Sequence, residues 1–129
     1  MTRTSIRGKA VALVATSVLA LGTGVLAAAP AEAATECKVI SGGRLSCGNT
    51  PYVDMFRWAS FNAPWANTLT SNPSTFECWT KGDYHDGGNN TWYGAYGDVN
   101  SNFGMVPASV VSTSSSFDAN PGAYGMRHC

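Results

Sequence analysis

The chain from residue 34 onward predicts a small all-β domain, an antiparallel barrel of five to six strands stapled by disulfides. Three observations carry this. Short β-prone runs alternate with Gly-, Asn- and Pro-rich turns, at spacings too close for helical crossovers. No helix of ordinary length is written after residue 33, and no repeat is visible. All four cysteines and all 14 aromatic residues fall within residues 34–129.

Residues 1–33 read as an export signal. Arg3, Arg7 and Lys9 give a positive start, Ala10 to Ala29 carry no charge, and Ala31-Glu32-Ala33 supplies the small residues a signal peptidase reads. A membrane anchor is the competing reading, since about 20 apolar residues span a bilayer. Thr16, Ser17, Gly22, Thr23 and Gly24 dilute this run, Pro30 ends it, and no basic stop-transfer cluster follows. Cleavage is expected at Ala33/Ala34, leaving a secreted protein with no membrane association. Residues 34–129 then form one domain with five basic and seven acidic side chains. That weak negative charge argues against nucleic acid or an anionic membrane surface as the main partner. The size leaves no room for a separate cofactor domain, and no cofactor is expected.

The elements follow in order. Lys38-Val39-Ile40, Ser41-Gly42-Gly43 and Arg44-Leu45-Ser46-Cys47 read as a hairpin. Gly48 to Ser74 is less regular, broken by Pro51, Pro64 and Pro73 and crowded with Tyr52, Phe56, Trp58, Phe61 and Trp65. Asp54 is placed to cap one helical turn through Met55-Phe56-Arg57-Trp58. A long excursion packed by its own aromatics explains the composition equally well. Thr75 to Thr80 is the clearest strand, with Phe76, Cys78 and Thr80 on one face and Glu77 and Trp79 on the other. Lys81 to Thr91 is loop. Trp92 to Tyr96 is the next strand, with Gly94 where something large must approach. Gly97 to Asn102 turns the chain, Phe103 to Val106 returns it, and Pro107-Ala108-Ser109 leads into Val110-Val111. Ser112 to Arg127 is a small, polar tail expected to be held only through Cys129.

Outside the cytoplasm, four cysteines in so short a chain mean disulfides. None are spaced as C-x-x-C, and the histidines, His85 and His128, offer no ligand ladder. Of the three possible pairings, Cys37–Cys47 would close the first hairpin and Cys78–Cys129 would staple the tail to a strand. The long loop of the second is worth roughly 4–5 kcal/mol on the chain-entropy account.

Three pieces together resemble the bacterial SH3-like domains of secreted actinobacterial proteins. They are Phe76-Glu77-Cys78-Trp79-Thr80-Lys81-Gly82, Gly87-Gly88-Asn89-Asn90-Thr91-Trp92-Tyr93, and Phe103-Gly104-Met105-Val106-Pro107-Ala108-Ser109-Val110-Val111. The resemblance covers about residues 67 to 111 and implies an SH3-like barrel. It places Trp92 beside a ligand groove and Pro107 on its floor. The chain departs from the family where Met105 and Val110 replace an aromatic and a tyrosine.

The chemistry divides among several readings. His85 lies between Asp83 and Asp86 with serines plentiful, yet no Gly-x-Ser-x-Gly elbow occurs. A histidine in a Gly/Asn loop is more often simply solvated, so no catalytic residue is assigned. Asp83, Asp86, Asn89 and Asn90 bring oxygen atoms together, but without EF-hand spacing or a closing Glu they are also ordinary turn residues. No metal is expected. The aromatics exceed what a barrel of this size encloses, so some among Trp58, Trp65, Tyr84, Trp92, Tyr93 and Tyr96 are expected at the surface. Against that, they also stand in for scarce aliphatics: Leu45, Leu69 and Ile40 are the only leucines and isoleucine after residue 33. Phe76 and Phe103 are expected in the core.

The expected function is a monomeric, non-catalytic binding module for a peptide or a cell-wall glycopeptide. Its ligand would be gripped by Tyr84, Trp92, Tyr93, Tyr96 and Pro107. A secreted inhibitor, presenting Gly48–Ser74 as a protruding loop to a hydrolase, is the alternative.

Overall fold

A computed structural model describes residues 37–129; the predicted export signal lies outside the described residues. The hairpin expected at the start forms as β1 (Lys38–Ile40) and β2 (Arg44–Cys47). Its turn needs two left-handed residues, and Gly42 (φ 83°) and Gly43 (φ 73°) supply them. Then come β3 (Val53–Phe56), β4 (Trp65–Leu69), β5 (Ser74–Phe76), β6 (Cys78–Lys81), β7 (Thr91–Tyr96) and β8 (Phe103–Pro107).

All ladders are antiparallel. One sheet has the order β4-β3-β8-β7-β6 and the other β1-β2-β5. The all-β expectation is met with eight strands rather than five or six. Among the described residues no ladder joins β4 to β1, so the paired strands do not close on themselves.

Two strands, β3 and β4, were not foreseen. Val53–Phe56 is β-sheet, not a capped helical turn. Val53 and Met55 face the core while Asp54 and Phe56 face out, a period-two pattern that pairing with β4 and β8 holds in place. The predicted single strand Thr75–Thr80 is split. At Glu77 the backbone N–H donates to the Gly94 carbonyl at 2.6 Å, and the chain passes from the small sheet to the large one. Val110-Val111 is not a strand either: Ala108–Val110 is a 3₁₀ turn, and Val111 makes an isolated bridge to Asn49.

Between the sheets lie Leu45, Met55, Leu69, Phe76, Tyr93, Ala95, Val106, Val111 and Met126. Both disulfides form as expected, Cys37–Cys47 and Cys78–Cys129. Such bonds are typical of extracellular proteins. No helix among the described residues is long and apolar enough to cross a membrane.

The tail is held by far more than its last cysteine. It contains α1 (Ser115–Ala119), capped by the Ser114 hydroxyl, and a 3₁₀ turn at Pro121–Tyr124. Beyond these it runs beside β6: Trp79 N–H donates to Arg127 O, Cys129 N–H donates to Trp79 O, and Trp79 Nε1 donates to Met126 O. The edge of β6 is thereby covered.

Candidate functional site

Strand alternation assigns each aromatic ring to one side of the large sheet. On β7, Thr91, Tyr93 and Ala95 face the core, so Trp92, Gly94 and Tyr96 face outward. The register carries that outer face across the sheet. Trp65 lies opposite Phe56, Phe56 opposite Met105, Met105 opposite Gly94, and Phe103 opposite Tyr96. A Cβ at Gly94 would run into the rings and sulfur of Phe103 and Met105, the close approach that the glycine predicted. Phe103 is therefore half-buried on the outer face rather than in the core. Its ring meets Tyr96 edge to face at 5.4 Å.

At the other end of this face Trp92 is fully buried. Phe56 and Phe61 pack on it at 6.0 and 5.0 Å, His85 approaches at 6.3 Å, and its Nε1 donates to Asp83 O. Phe61 reaches it because the β3–β4 loop is pinned. Asp83 accepts from the Ser60 hydroxyl and the Phe61 amide, while Gly82 lets the Ala59 backbone lie directly against it. The Gly48–Ser74 segment thus contributes two sheet strands and a pinned loop, not one protruding loop.

The five residues expected to grip a ligand are not gathered into one groove. Trp92 and Pro107 are direct neighbours in the register but both are buried, and Tyr93 faces the interior. Tyr84 and Tyr96 are exposed, at 72% and 61%. Tyr84 stands on the β6–β7 loop, its hydroxyl donating to Gly88 O. What the sequence reading missed as surface are Tyr52, Phe61 and Tyr124; Phe56 lies half-buried beside Phe61, and Phe103 half-buried beside Tyr96. Trp65, half exposed, was among the rings expected at the surface. Reading Val53–Phe56 as a strand would have placed Phe56 and Trp65 side by side.

The remaining polar groups are engaged structurally. His85 is buried rather than solvated; Gly87 N–H donates to its Nδ1, so Nε2–H donates to Thr91 O. Asp118, also buried, accepts at 2.6 Å from the hydroxyls of both Tyr93 and Thr113. Burial, then the bond to Asp118 and its charge, pushes the Tyr93 phenol far above the usual tyrosine range. At the free side of β4, Asp98 accepts from Thr70 N–H, Ser71 N–H and the Ser71 hydroxyl. Desolvation raises its pKa, but these hydrogen bonds together outweigh it and hold the carboxyl below its ordinary value. At one end of the sheet Arg57, Ala66, Asn102 and Phe103 line a cavity of about 170 Å³.

No family model, no curated protein and no solved structure matches this chain.

Proposed function

We propose that the protein is an exported, non-catalytic binding module that holds a peptide or cell-wall glycan on the outer face of its large sheet. Trp65, Phe61 and Tyr96 are the main contacts, with Phe56 and Phe103 between them. The observation that carries this is the division of the rings. Trp92 and Tyr93 are fully buried, while Phe61, Trp65 and Tyr96 stay 48–61% exposed on the same sheet face. Exposed rings on a rigid sheet present large apolar area at small entropic cost, which suits stacking against sugar rings or extended peptide.

Export is supported by the amino-terminal segment and the two disulfides. The fold reads as an SH3-like arrangement, supported by two antiparallel sheets sharing the chain through Ser74–Lys81. A non-catalytic role is supported by His85, both of whose ring nitrogens are bonded to backbone.

Sedimentation with purified cell walls tests the reading. Wild type is expected to pellet with the walls. Trp65→Ala and Tyr96→Ala, both at exposed positions, are expected to weaken binding about tenfold each, the effect of losing a contact worth near 1.4 kcal/mol. Soluble wild type that instead blocks a secreted hydrolase would move the assignment to an inhibitor.

A further inference from the structure

Of the five basic side chains after residue 33, three have partners. Arg44 donates to Ser41 O, Lys81 donates to Thr91 Oγ1, and Arg127 pairs with Glu77. Arg57 is different. Its backbone is fixed, with its N–H donating to Pro64 O at 3.0 Å. The residue is exposed, its side chain makes no hydrogen bond or ion pair among the described residues, and it lines a cavity.

The other walls of that cavity are informative. Phe103 belongs to the outer aromatic face as well, so the cavity opens at the edge of that face. Asn102 is held by its neighbours, its N–H donating to Asn100 Oδ1 and its Nδ2 to Ala66 O. An amide nitrogen carries two protons, so Asn102 Nδ2 retains one donor. An unpaired arginine on a held backbone, a spare amide donor and an aromatic edge line one corner suited to an anion. Planar anions suit it best, because guanidinium binds carboxylate through two parallel N–H···O bonds.

Size narrows the ligand further. Pockets that enclose a whole drug-sized molecule run about 300–1,000 Å³. At about 170 Å³ this cavity holds one terminal group, with the rest of the ligand outside.

We infer that the corner formed by Arg57, Asn102 and Phe103 is a subsite for a carboxylate at the end of a ligand lying across the outer aromatic face. This rests on the binding function proposed above and adds the ligand's charge. The carboxylate comes from a peptide C-terminus or from an acidic sugar, and the two are separable by experiment.

The test is an NMR titration of the secreted protein, disulfides intact, watching the Arg57 Nε–H and Asn102 side-chain amide signals. The probes are N-acetylalanine against N-acetylalaninamide, and glucuronate against glucose. Saturable shifts with an acid but not with its neutral partner support the subsite, and the acid that binds tighter identifies the source. Arg57→Gln is expected to weaken that binding at least tenfold, and added salt to weaken it further. Equal shifts with acid and neutral probes, or none with either acid, overturn the inference. Wall sedimentation separates the two proposals. Walls whose carboxyls have been converted to amides are expected to retain wild type about tenfold less. Undiminished retention that still depends on Trp65 would discard the carboxylate subsite and leave the aromatic face standing.

Discussion

Asp118 is the residue on which the tail turns. Its carboxylate takes the Tyr93 and Thr113 hydroxyls, and its own carbonyl accepts from the Thr91 hydroxyl at 2.6 Å. One buried acid therefore ties α1 to the inner strand β7. Asp118→Ala would leave buried hydroxyls without an acceptor and is expected to cost about 3 kcal/mol. Tyr93→Phe removes one donor while Thr113 still serves the carboxylate, and is expected to cost about 1–2 kcal/mol. Urea unfolding midpoints measure both, and equal losses would contradict this account. Nothing in Ser112–Arg127 announced the role, because an aspartate among serines reads as surface. The partner that buries it, Tyr93, lies 25 residues away. His85 was misjudged for the same reason: a loop composition says nothing about a ring folded under Trp92.

At the scale of elements the recurring problem is the free strand edge. The tail covers β6, and the β7–β8 loop covers β4. Asp98 N–H donates to Thr68 O, the amides of Asn100 and Asn102 reach Ala66 O, and the Asp98 carboxylate takes Thr70 and Ser71. Both edges of the large sheet are thus closed to further strands, which fits the proposed recognition on a sheet face rather than by strand addition. Asp98 also gives the edge a pH dependence. Its folded pKa lies below the ordinary 3.8. The stability it confers is complete above that value and is lost as pH falls through the lower, folded one. Asp98→Asn is expected to lose this part of the acid sensitivity, seen as a smaller drop in unfolding midpoint between neutral pH and pH below 3.8. An unchanged drop would show that the carboxylate is idle. The hairpin and β7 were legible because glycine turns and alternation are local signals. β3 was not, since Val53-Asp54-Met55-Phe56 admits either period and only β4 and β8 decide between them.

For the molecule as a whole, the two disulfides divide the work unequally. Cys37–Cys47 spans 10 residues of a hairpin already shaped by its glycines, whereas Cys78–Cys129 spans 51 and secures the tail. On the chain-entropy model, replacing Cys78 and Cys129 by serine is expected to cost about 4 kcal/mol, against about 3 for the hairpin pair. Thermal or urea unfolding of the two double variants measures the difference, and the reverse order would refute it. For a domain this small either loss is a large part of the total stability.

Composition, the charged start with its uncharged run, the cysteine count and the turn residues sufficed for the expected export and domain limits and for the β class, and favoured one of three cysteine pairings. Those features act over a few residues or through the compartment, so they survive without coordinates. Which rings face water was settled only in three dimensions. Trp92 and Trp65 look alike along the chain, but one lies beneath Phe61 and the other beside Phe56 at the open surface. That difference arises from contacts between strands distant in sequence, and burial is a property of the packed sheets rather than of any segment.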